Sequence, residues 1–232
     1  MSEQFLDKLS GINIFSNLEL INLEKIEKVC RFKHYAAQEQ VIDRQSKSTD
    51  IYFIINGSVR VVNYSISGRV VSFADLSAGN YFGELSALDG QPRSASVLAL
   101  TDSFLASMPQ EQFLFLLEEN FSVALKVMQS LAQVVRNSTI RIMDLSTLAA
   151  NNRIQAELLR LAKEKLTDDN VAKISPIPVH SDIASRVSTS RETVARVFMK
   201  LARRGIIERQ KKALVVKNVK QLSNMVEKVR GE

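Results

Sequence analysis

The residues with the clearest chemistry lie in one short stretch, residues 82–95, which reads FGELSALDGQPRSA. Glu84 follows Gly83 directly, and Arg93 and Ser94 come shortly after it. A carboxylate accepts hydrogen bonds from sugar hydroxyls, whereas a guanidinium beside a hydroxyl donates to a phosphate. The stretch therefore predicts a binding site for a ligand that carries one phosphate and one ribose.

Arg93 also has a simpler interpretation. An isolated arginine most often forms a surface salt bridge, here with Asp89 or Glu84, and such pairs contribute little to stability. The grouping of Gly83, Glu84, Arg93 and Ser94 in one stretch favours phosphate binding over that interpretation.

A second group of residues, near the carboxy terminus, predicts DNA binding. Residues 180–207 read HSDIASRVSTSRETVARVFMKLARRGII, with apolar residues spaced as in two short helices joined by a tight turn. At 3.6 residues per turn, Arg191, Glu192 and Arg196 fall within an arc of about 140° on the second helix. The other side carries the residues expected to pack: Val194, Val197, Phe198 and Leu201. One face thus packs while the other is free to read a DNA groove.

Several of these side chains have structural alternatives. Residues 189–192, TSRE, fit a capping box, in which Glu192 would bond back to the start of the helix instead of to a base. Arg196 lies four residues after Glu192 and could pair with it along the helix. Either contacts with DNA phosphates or simple solvation would account for the basic residues further on: Arg203, Arg204, Lys211 and Lys212.

The charge of the chain is unevenly distributed. Residues 1–148 contain 13 Lys and Arg against 16 Asp and Glu, a net charge of −3, whereas residues 149–232 contain 18 against 9, a net charge of +9. A strongly basic domain is either a solvated surface or the electrostatic footprint of phosphate-backbone binding. The basic part coincides with the predicted pair of short helices, which favours the second explanation.

A long apolar stripe precedes the basic domain. Its members step by four and three residues in alternation: Ala124, Met128, Leu131, Val135, Ser138, Ile142, Leu145 and Ala149. Three and a half heptads of this kind favour a dimerisation helix, although a buried core helix gives a similar stripe. Ser138 is the polar residue of the stripe and lies beside Thr139, and hydroxyls buried there need a partner such as a ligand at the dimer axis.

The segment from Phe32 to Met108 has the pattern of a small β domain. Short β-branched or aromatic runs are separated by turn signals at four dipeptides: Asn56-Gly57, Ser67-Gly68, Ala78-Gly79 and Asp89-Gly90. Regular short strands joined by tight turns predict an antiparallel barrel or sandwich.

Composition argues against several classes of protein. No apolar run in the 232 residues approaches the roughly 20 that span a bilayer, and the amino terminus lacks a secretory pattern, so we expect a cytoplasmic protein without membrane association. Cys30, His34 and His180 are too scattered to bind a metal, and we expect Cys30 in a hydrophobic core. No nucleophile with an adjacent base is visible, so we do not expect an enzyme.

Two motifs in this order resemble those of the Crp/Fnr family of bacterial transcription regulators, and in particular its cyclic-AMP receptor proteins. FGELSALDGQPRSA is similar to the family's phosphate-binding cassette, and SRETVAR at residues 190–196 is similar to its DNA-recognition helix. The resemblance covers essentially the whole chain.

The resemblance implies a ligand role for each matching residue. Gly83 and Glu84 would face the ribose of a cyclic nucleotide, with Glu84 accepting from the 2′-hydroxyl. Arg93 and Ser94 would bind the cyclic phosphate, helped by the backbone amides of the turn that begins at Leu85 and Ser86. Ser138 and Thr139 would meet the purine, one from each subunit of a dimer. The implied effector is cyclic AMP, with cyclic GMP as the alternative, and no metal is implied.

On the DNA side, the resemblance implies contacts from the recognition helix and from a basic wing. The residues concerned are Ser190, Arg191, Glu192, Arg196 and Lys212. Two such helices one DNA turn apart would read a palindrome with half-sites similar to TGTGA. Ser188 stands where the family usually has glycine, which implies mild backbone strain. The implied partners are double-stranded DNA, a second copy of the chain and RNA polymerase.

The sequence as a whole therefore predicts an α+β fold in three parts. A cyclic-nucleotide-binding β-roll of the jelly-roll type is expected over residues 1–120, a dimerisation helix with a hinge over residues 121–148, and a winged helix-turn-helix over residues 149–232. The expected function is transcription regulation, with cyclic AMP changing DNA binding allosterically. The alternatives are a regulator gated by cyclic GMP, by a cyclic dinucleotide or by no ligand, and a cyclic-nucleotide module that controls a protein partner.

Overall fold

The computed structural model describes residues 9–66, 70–167 and 169–231. The chain divides into two compact units, with the boundary between Val134 and Val135, and each unit has its own hydrophobic core. The predicted turn at Ser67-Gly68 lies outside the described residues. The limits predicted for the three parts, at residues 120 and 148, stay a prediction.

Two antiparallel four-stranded sheets form the β part of the first unit, as far as the structure describes it. Their orders are β1-β8-β3-β6 and β2-β7-β4-β5. The strands are β1 (Arg31–Tyr35), β2 (Gln40–Ile42), β3 (Ile51–Asn56), β4 (Ser58–Tyr64), β5 (Val70–Ser77), β6 (Tyr81–Phe82), β7 (Ser96–Ala99) and β8 (Ser103–Met108). The predicted antiparallel β architecture is confirmed.

The sheets bury apolar side chains in two clusters because alternate residues of a strand share a face. Ile51, Phe53 and Met108 belong to one cluster, which also takes in the helices at the end of this unit. Ile54, Val59 and Phe82 belong to the other. Phe82 is the first residue of the cassette and ends β6, so the core anchors the start of the cassette.

A 3-10 helix, Asn13–Phe15, and four α-helices of the described chain begin in this unit. The α-helices are α1 (Leu20–Val29), α2 (Glu84–Asp89), α3 (Gln110–Glu119) and α4 (Phe121–Thr147). The first turns of α4 bury Val123 and Val127, whereas Val135 and Ile142 further along are 65% and 62% exposed. The apolar stripe predicted from the sequence is therefore helical from Ala124 to Leu145, and its carboxy-terminal half is exposed in the single chain. Its last predicted member, Ala149, lies after the end of α4 with an extended backbone, so the prediction was wrong there.

The second unit is a small helical domain with a three-stranded sheet in the order β10-β11-β9. After the end of α4, its elements are α5 (Ala150–Lys163), β9 (Ala172–Ile174), α6 (His180–Arg186), α7 (Arg191–Arg203), β10 (Ile207–Arg209), β11 (Leu214–Val216) and α8 (Val219–Arg230). The pair α6 and α7 and the hairpin β10–β11 confirm the predicted winged helix-turn-helix.

Sequence reasoning missed the helix that follows this hairpin. Helix α8 follows it, and the Asn218 side chain caps that helix by accepting from the Gln221 amide at 2.8 Å. A sequence signal was available, because Asn218 precedes apolar residues at helical spacing: Val219, Leu222 and Val226.

Cys30 is half-buried and packs against the cluster that contains Ile51, Phe53 and Met108, and burial raises the pKa of its thiol to about 12. It therefore borders the core in which it was expected. No group of three or more His, Cys, Asp or Glu residues able to hold a metal occurs in the described parts of the chain. A search of the same parts finds no helix long and apolar enough to cross a membrane.

Candidate ligand-binding site and nucleic-acid interface

Gly83 shapes the start of the cassette. It caps α2 with a left-handed backbone, φ +82°, which an L side chain rarely adopts. A Cβ at this position would lie 2.7 Å from Arg93 Nη1 and 3.0 Å from the Asp50 carbonyl oxygen. Glycine is therefore required both by the turn and by the close approach of the Arg93 guanidinium.

The Arg93 guanidinium is buried, with 4% of the residue exposed. Its Nη2 donates to the Asp50 carbonyl oxygen at 2.7 Å and to Ser48 Oγ at 3.0 Å. Its Nε donates to the same Ser48 Oγ at 3.3 Å, and its Nη1 donates to the Gly83 carbonyl oxygen at 3.1 Å. These partners are neutral oxygen atoms in a buried setting, so Arg93 does not form the surface salt bridge that the sequence left open.

Glu84 is the first residue of α2 and lies next to this buried cation. Burial raises the pKa of the Glu84 carboxyl, while its own backbone amide and the charge of Arg93 act in the opposite direction. The side chain is therefore an acceptor in a partly dry environment, where a hydrogen bond from a ligand hydroxyl is stronger than in water.

The remaining cassette residues divide into buried and exposed. Ser86 is buried, whereas Leu85 and Ser94 are exposed. The Ser94 carbonyl oxygen accepts from Asn63 Nδ2 at 3.1 Å, which ties the end of the cassette to β4. The first unit thus brings together Gly83, Glu84 and Arg93, with Ser94 at the exposed edge.

The predicted purine contacts, Ser138 and Thr139, lie on α4 in the second unit and are exposed. Thr139 Oγ1 donates to the Val135 carbonyl oxygen at 3.0 Å, one helical turn back. Its hydroxyl oxygen remains able to accept a hydrogen bond from another group.

A tight turn between α6 and α7 sets the direction of the predicted recognition helix. Ser188 has φ +51°, in the left-handed region, so the strain expected from the missing glycine is present. Ser190 then caps α7, and its Oγ accepts from the Thr193 amide at 3.2 Å. The cap fixes where the helix begins and which residues occupy its first turn.

Helix α7 has a packed face and an exposed face, as predicted. Arg191, Glu192 and Arg196 are exposed, and Arg196 Nη2 donates to Thr193 Oγ1 at 3.1 Å. The packed residues belong to the core of this unit: Val194, Val197, Phe198 and Leu201. The arrangement leaves two guanidinium groups and a carboxylate on the outward side.

Glu192 takes part in the start of the helix. A hydrogen bond from its own backbone amide and another from the Ser190 side chain lower the pKa of the Glu192 carboxylate. The cap is Ser190 and not Thr189, and its partner is the Thr193 amide, so the capping box predicted for residues 189–192 is not the cap that the structure forms. Glu192 is therefore ionised and fully exposed, with its carboxylate held near the first turn.

Met199 is a residue on this face that sequence reasoning missed. It is 53% exposed and lines an open depression together with four basic residues: Arg196, Lys200, Arg203 and Arg204. The helical wheel would have found it, because position 199 falls at about 80° from position 191, inside the arc of the charged residues.

Lys212 lies in the loop between β10 and β11 and is exposed. Its carbonyl oxygen accepts from Ser175 Oγ at 3.2 Å, which holds the loop against the residues that follow β9. The backbone of this wing is thus anchored while the Lys212 ammonium group faces solvent.

Arg153 of α5 joins the break after α4 to the turn before α7. Its Nη1 donates to the Leu148 carbonyl oxygen at 2.7 Å, its Nε to that of Val187 at 2.9 Å and its Nη2 to that of Ser188 at 3.2 Å. One guanidinium therefore satisfies carbonyl groups of the predicted hinge and of the strained turn together.

Comparisons with known proteins assign a domain family to each of the two regions. Residues 32–120 match the Cyclic nucleotide-binding domain family, and residues 152–225 match the Crp-like helix-turn-helix domain family. The first match contains the whole cassette, and the second contains α6, the turn and α7. A DNA-binding transcription regulator with a cyclic nucleotide-binding domain is the class of protein that these elements define.

Individual relatives give the same result. The chain is 33% identical over 157 residues to the Cyclic AMP receptor protein of Thermus thermophilus, covering 68% of this chain and 70% of that protein. It is 29% identical over 190 residues to the cAMP-activated global transcriptional regulator CRP of Haemophilus influenzae, covering 81% and 84%. The c-di-GMP responsive global regulator CLP of Xanthomonas campestris shares the fold, with a TM-score of 0.69, 20% identity and coverage of 85% and 99%. The chain belongs to the Crp/Fnr family of transcription regulators and is not an enzyme.

Proposed function

We propose that this regulator binds cyclic AMP in the β-roll and that binding raises its affinity for a palindromic DNA site. The observation that carries the proposal is the buried Arg93 guanidinium, whose hydrogen bonds within the described residues go to neutral oxygen atoms. A buried cation is strongly stabilised by a counter-charge, and a cyclic phosphate supplies one at the site where Glu84 can accept from the ribose.

Two observations support cyclic AMP as the effector: the chemistry of the cassette and the names of the relatives. Arg93 and Ser94 bind the cyclic phosphate, Gly83 and Glu84 face the ribose, and the amides at Leu85 and Ser86 assist. The two relatives described above are named for cyclic AMP, whereas one neighbour in fold is named for a cyclic dinucleotide. Cyclic AMP is therefore the first ligand to test.

The DNA-binding part of the proposal uses the outward face of α7 and the wing. Arg191 and Arg196 donate to guanine edges, Glu192 accepts from cytosine or adenine amino groups, and Ser190 and Lys212 contact phosphates. The exposure of the three charged side chains on α7 supports these roles. The half-sites resemble TGTGA and are separated by about one helical turn of DNA.

The functional form is a homodimer assembled along α4. Val135 and Ile142 are exposed apolar residues of a heptad stripe, and a second copy would bury both. Ser138 and Thr139 of this stripe contact the purine, so that ligand changes the hinge near residues 147–149 and the spacing of the recognition helices. RNA polymerase is the further partner through which a bound regulator acts.

Titration calorimetry with cyclic AMP, cyclic GMP and a cyclic dinucleotide tests the effector, and DNA binding with and without each ligand tests the response. Tightest binding of cyclic AMP together with ligand-enhanced, salt-dependent DNA binding is expected. Tighter binding of another nucleotide would change the effector. Absence of DNA binding would instead favour a module that controls a protein partner.

Removal of the hydroxyls of the α4 stripe should leave dimerisation intact and weaken the effect of cyclic AMP on DNA binding. Ser138→Ala or Thr139→Ala leaves an apolar stripe, so dimers should persist in sedimentation experiments while cyclic AMP raises DNA affinity less than in the parent protein. Variants that respond like the parent protein would show that these hydroxyls have only a structural role.

A further inference from the structure

Met199 is an apolar side chain on the outward face of α7, where it is 53% exposed. The other large apolar side chains of this helix pack in the core of the second unit: Val194, Val197, Phe198 and Leu201. These packed residues fix the rotation of α7 about its own axis. Met199 is therefore held on the outward side, because the helix cannot turn to bury it without exposing the residues of the core.

The surroundings of Met199 distinguish it from the single exposed apolar residues that are common on protein surfaces. It lines an open depression whose other residues are cationic: Arg196, Lys200, Arg203 and Arg204. Cations at this density repel one another and attract an anionic partner, and the proposed function supplies double-stranded DNA. A partner that fits the depression carries anionic groups around an apolar group that meets Met199.

Met199 is aligned with Glu192 along α7. Position 199 follows position 192 by two helical turns, within about 20° of the same direction and with a rise of about 10.5 Å. The recognition helix of a homeodomain contacts bases from residues spread over a similar length. Because Glu192 is proposed to face base edges, Met199 faces the floor of the same major groove.

The floor of the major groove carries one kind of apolar group. Guanine, cytosine and adenine present hydrogen-bond donors and acceptors there, whereas thymine also presents its 5-methyl group. A thioether side chain has no donor and only a weak acceptor, but it is flexible and packs well against a methyl group. We propose, resting on the DNA binding proposed above, that Met199 contacts the 5-methyl group of a thymine in each half-site, while the surrounding cations contact phosphates. Met199 thereby selects thymine at one position of the half-site.

Replacement of thymine by deoxyuridine tests this directly, because it removes only the methyl group. Each thymine of the half-site is replaced in turn, in both halves of the palindrome, and binding of the full chain with cyclic AMP is measured by fluorescence anisotropy at constant salt. Replacement at one position should lower the affinity about fourfold per half-site. No loss at any thymine overturns the role of Met199 but leaves DNA binding intact. Failure of the parent protein to bind any DNA overturns the proposed function with it.

Variants assign the preference to Met199. Met199→Ala should bind the thymine and uracil sites within about 1.5-fold of each other, whereas Met199→Leu should keep the preference for thymine. Alanine and leucine are both strong helix formers and the position is exposed, so α7 should form in each variant. Arg203→Ala is the matched control, because it removes a cation from the same depression and should weaken both sites alike. If Met199→Ala keeps the fourfold preference, the methyl group is read elsewhere and the assignment is wrong.

Discussion

The two units use arginine in opposite ways. Arg93 in the first unit is buried and donates from all three of its side-chain nitrogens to oxygen atoms of its own unit. Arg191 and Arg196 in the second unit are exposed on the outward face of α7. A phosphate must therefore either replace the oxygen atoms that already accept from Arg93 or bind in addition to them. DNA, in contrast, can reach the exposed arginines of α7 directly. The first arrangement suits selection of one small ligand, and the second suits a long anionic surface.

The two glutamates at helix starts show the same contrast. Burial raises the pKa of Glu84, whereas hydrogen bonds from its own amide and from Ser190 lower the pKa of Glu192. At Glu84 the backbone amide and the charge of Arg93 offset only part of the cost of burying the carboxylate. At Glu192 the hydrogen bonds of the helix start stabilise the carboxylate before any DNA arrives.

The largest expected effect is the loss of the buried cation. Arg93→Ala removes the phosphate donors, and each charge-assisted contact contributes about 1.5 to 3 kcal/mol, so cyclic-nucleotide affinity should fall by roughly 100-fold or more in calorimetry. Arg60→Ala is the control, because Arg60 pairs with Asp75 on β5 in the same unit. Unchanged affinity in Arg93→Ala would show that the buried arginine is structural.

The second effect concerns the exposed cations. Arg191→Ala should cost about 1 to 3 kcal/mol on a TGTGA-like site and flatten the preference at one base pair. Lys212→Ala should weaken all sequences alike and reduce the slope of log affinity against log salt. Selection of bound sites from a random library, with and without cyclic AMP, distinguishes the two. Recovery of the same palindrome from the Arg191 variant would contradict base reading by this residue.

A smaller effect tests whether phosphate competes for Arg93. Ser48 Oγ accepts from two nitrogens of the guanidinium, so Ser48→Ala should free donors for a phosphate. Cyclic-nucleotide affinity should rise by the equivalent of one ordinary hydrogen bond, about 0.5 to 1.5 kcal/mol. A fall in affinity would mean that Ser48 instead holds the guanidinium in its binding position.

The smallest effect is a difference in pH dependence. Burial raises the pKa of Glu84 above the ordinary value of 4.5, so Glu84 takes up a proton at higher pH than an ordinary glutamate. As the pH is lowered, affinity for cyclic AMP should therefore begin to fall before the pH reaches 4.5. The pKa of Glu192 is lowered, so its contribution to DNA preference should persist to lower pH. Calorimetry on the parent protein and on Glu84→Gln checks this. The variant should lack the acid limb, and an identical limb in both proteins would assign it to another group.

Sequence reasoning predicted the placement of residues that lie close together in the chain, whereas their ligand and DNA roles stay predictions. Gly83, Glu84 and Arg93 lie in one stretch, and the two faces of α7 follow from helical period alone. The turn at Ser188 was also readable, because a helix-turn-helix needs a left-handed residue there whether or not it is glycine.

The residues missed were those supplied by distant segments. Ser48 and Asp50 reach Arg93 from more than forty positions away, and Asn63 reaches Ser94 from 31 positions away. Folding of the sheets brings these residues together, and their residue types alone do not predict the contacts. Met199 was missed for a different reason. It is an exposed apolar residue within an arc of charged residues, and only the charged residues were considered as DNA contacts.

The three hydrogen bonds of the Arg153 guanidinium, here called the Arg153 fork, affect how this unit unfolds locally. Its three carbonyl partners belong to two segments, residue 148 and residues 187–188, which are far apart in the sequence. If either segment moves away, the Arg153 guanidinium is no longer held in the position from which it also donates to the other segment. The two segments should therefore open as one cooperative unit. Amide hydrogen exchange should therefore give similar opening free energies for residues 148–150 and 187–190, and Arg153→Lys, which keeps the charge but not the fork, should let the two segments exchange at different rates.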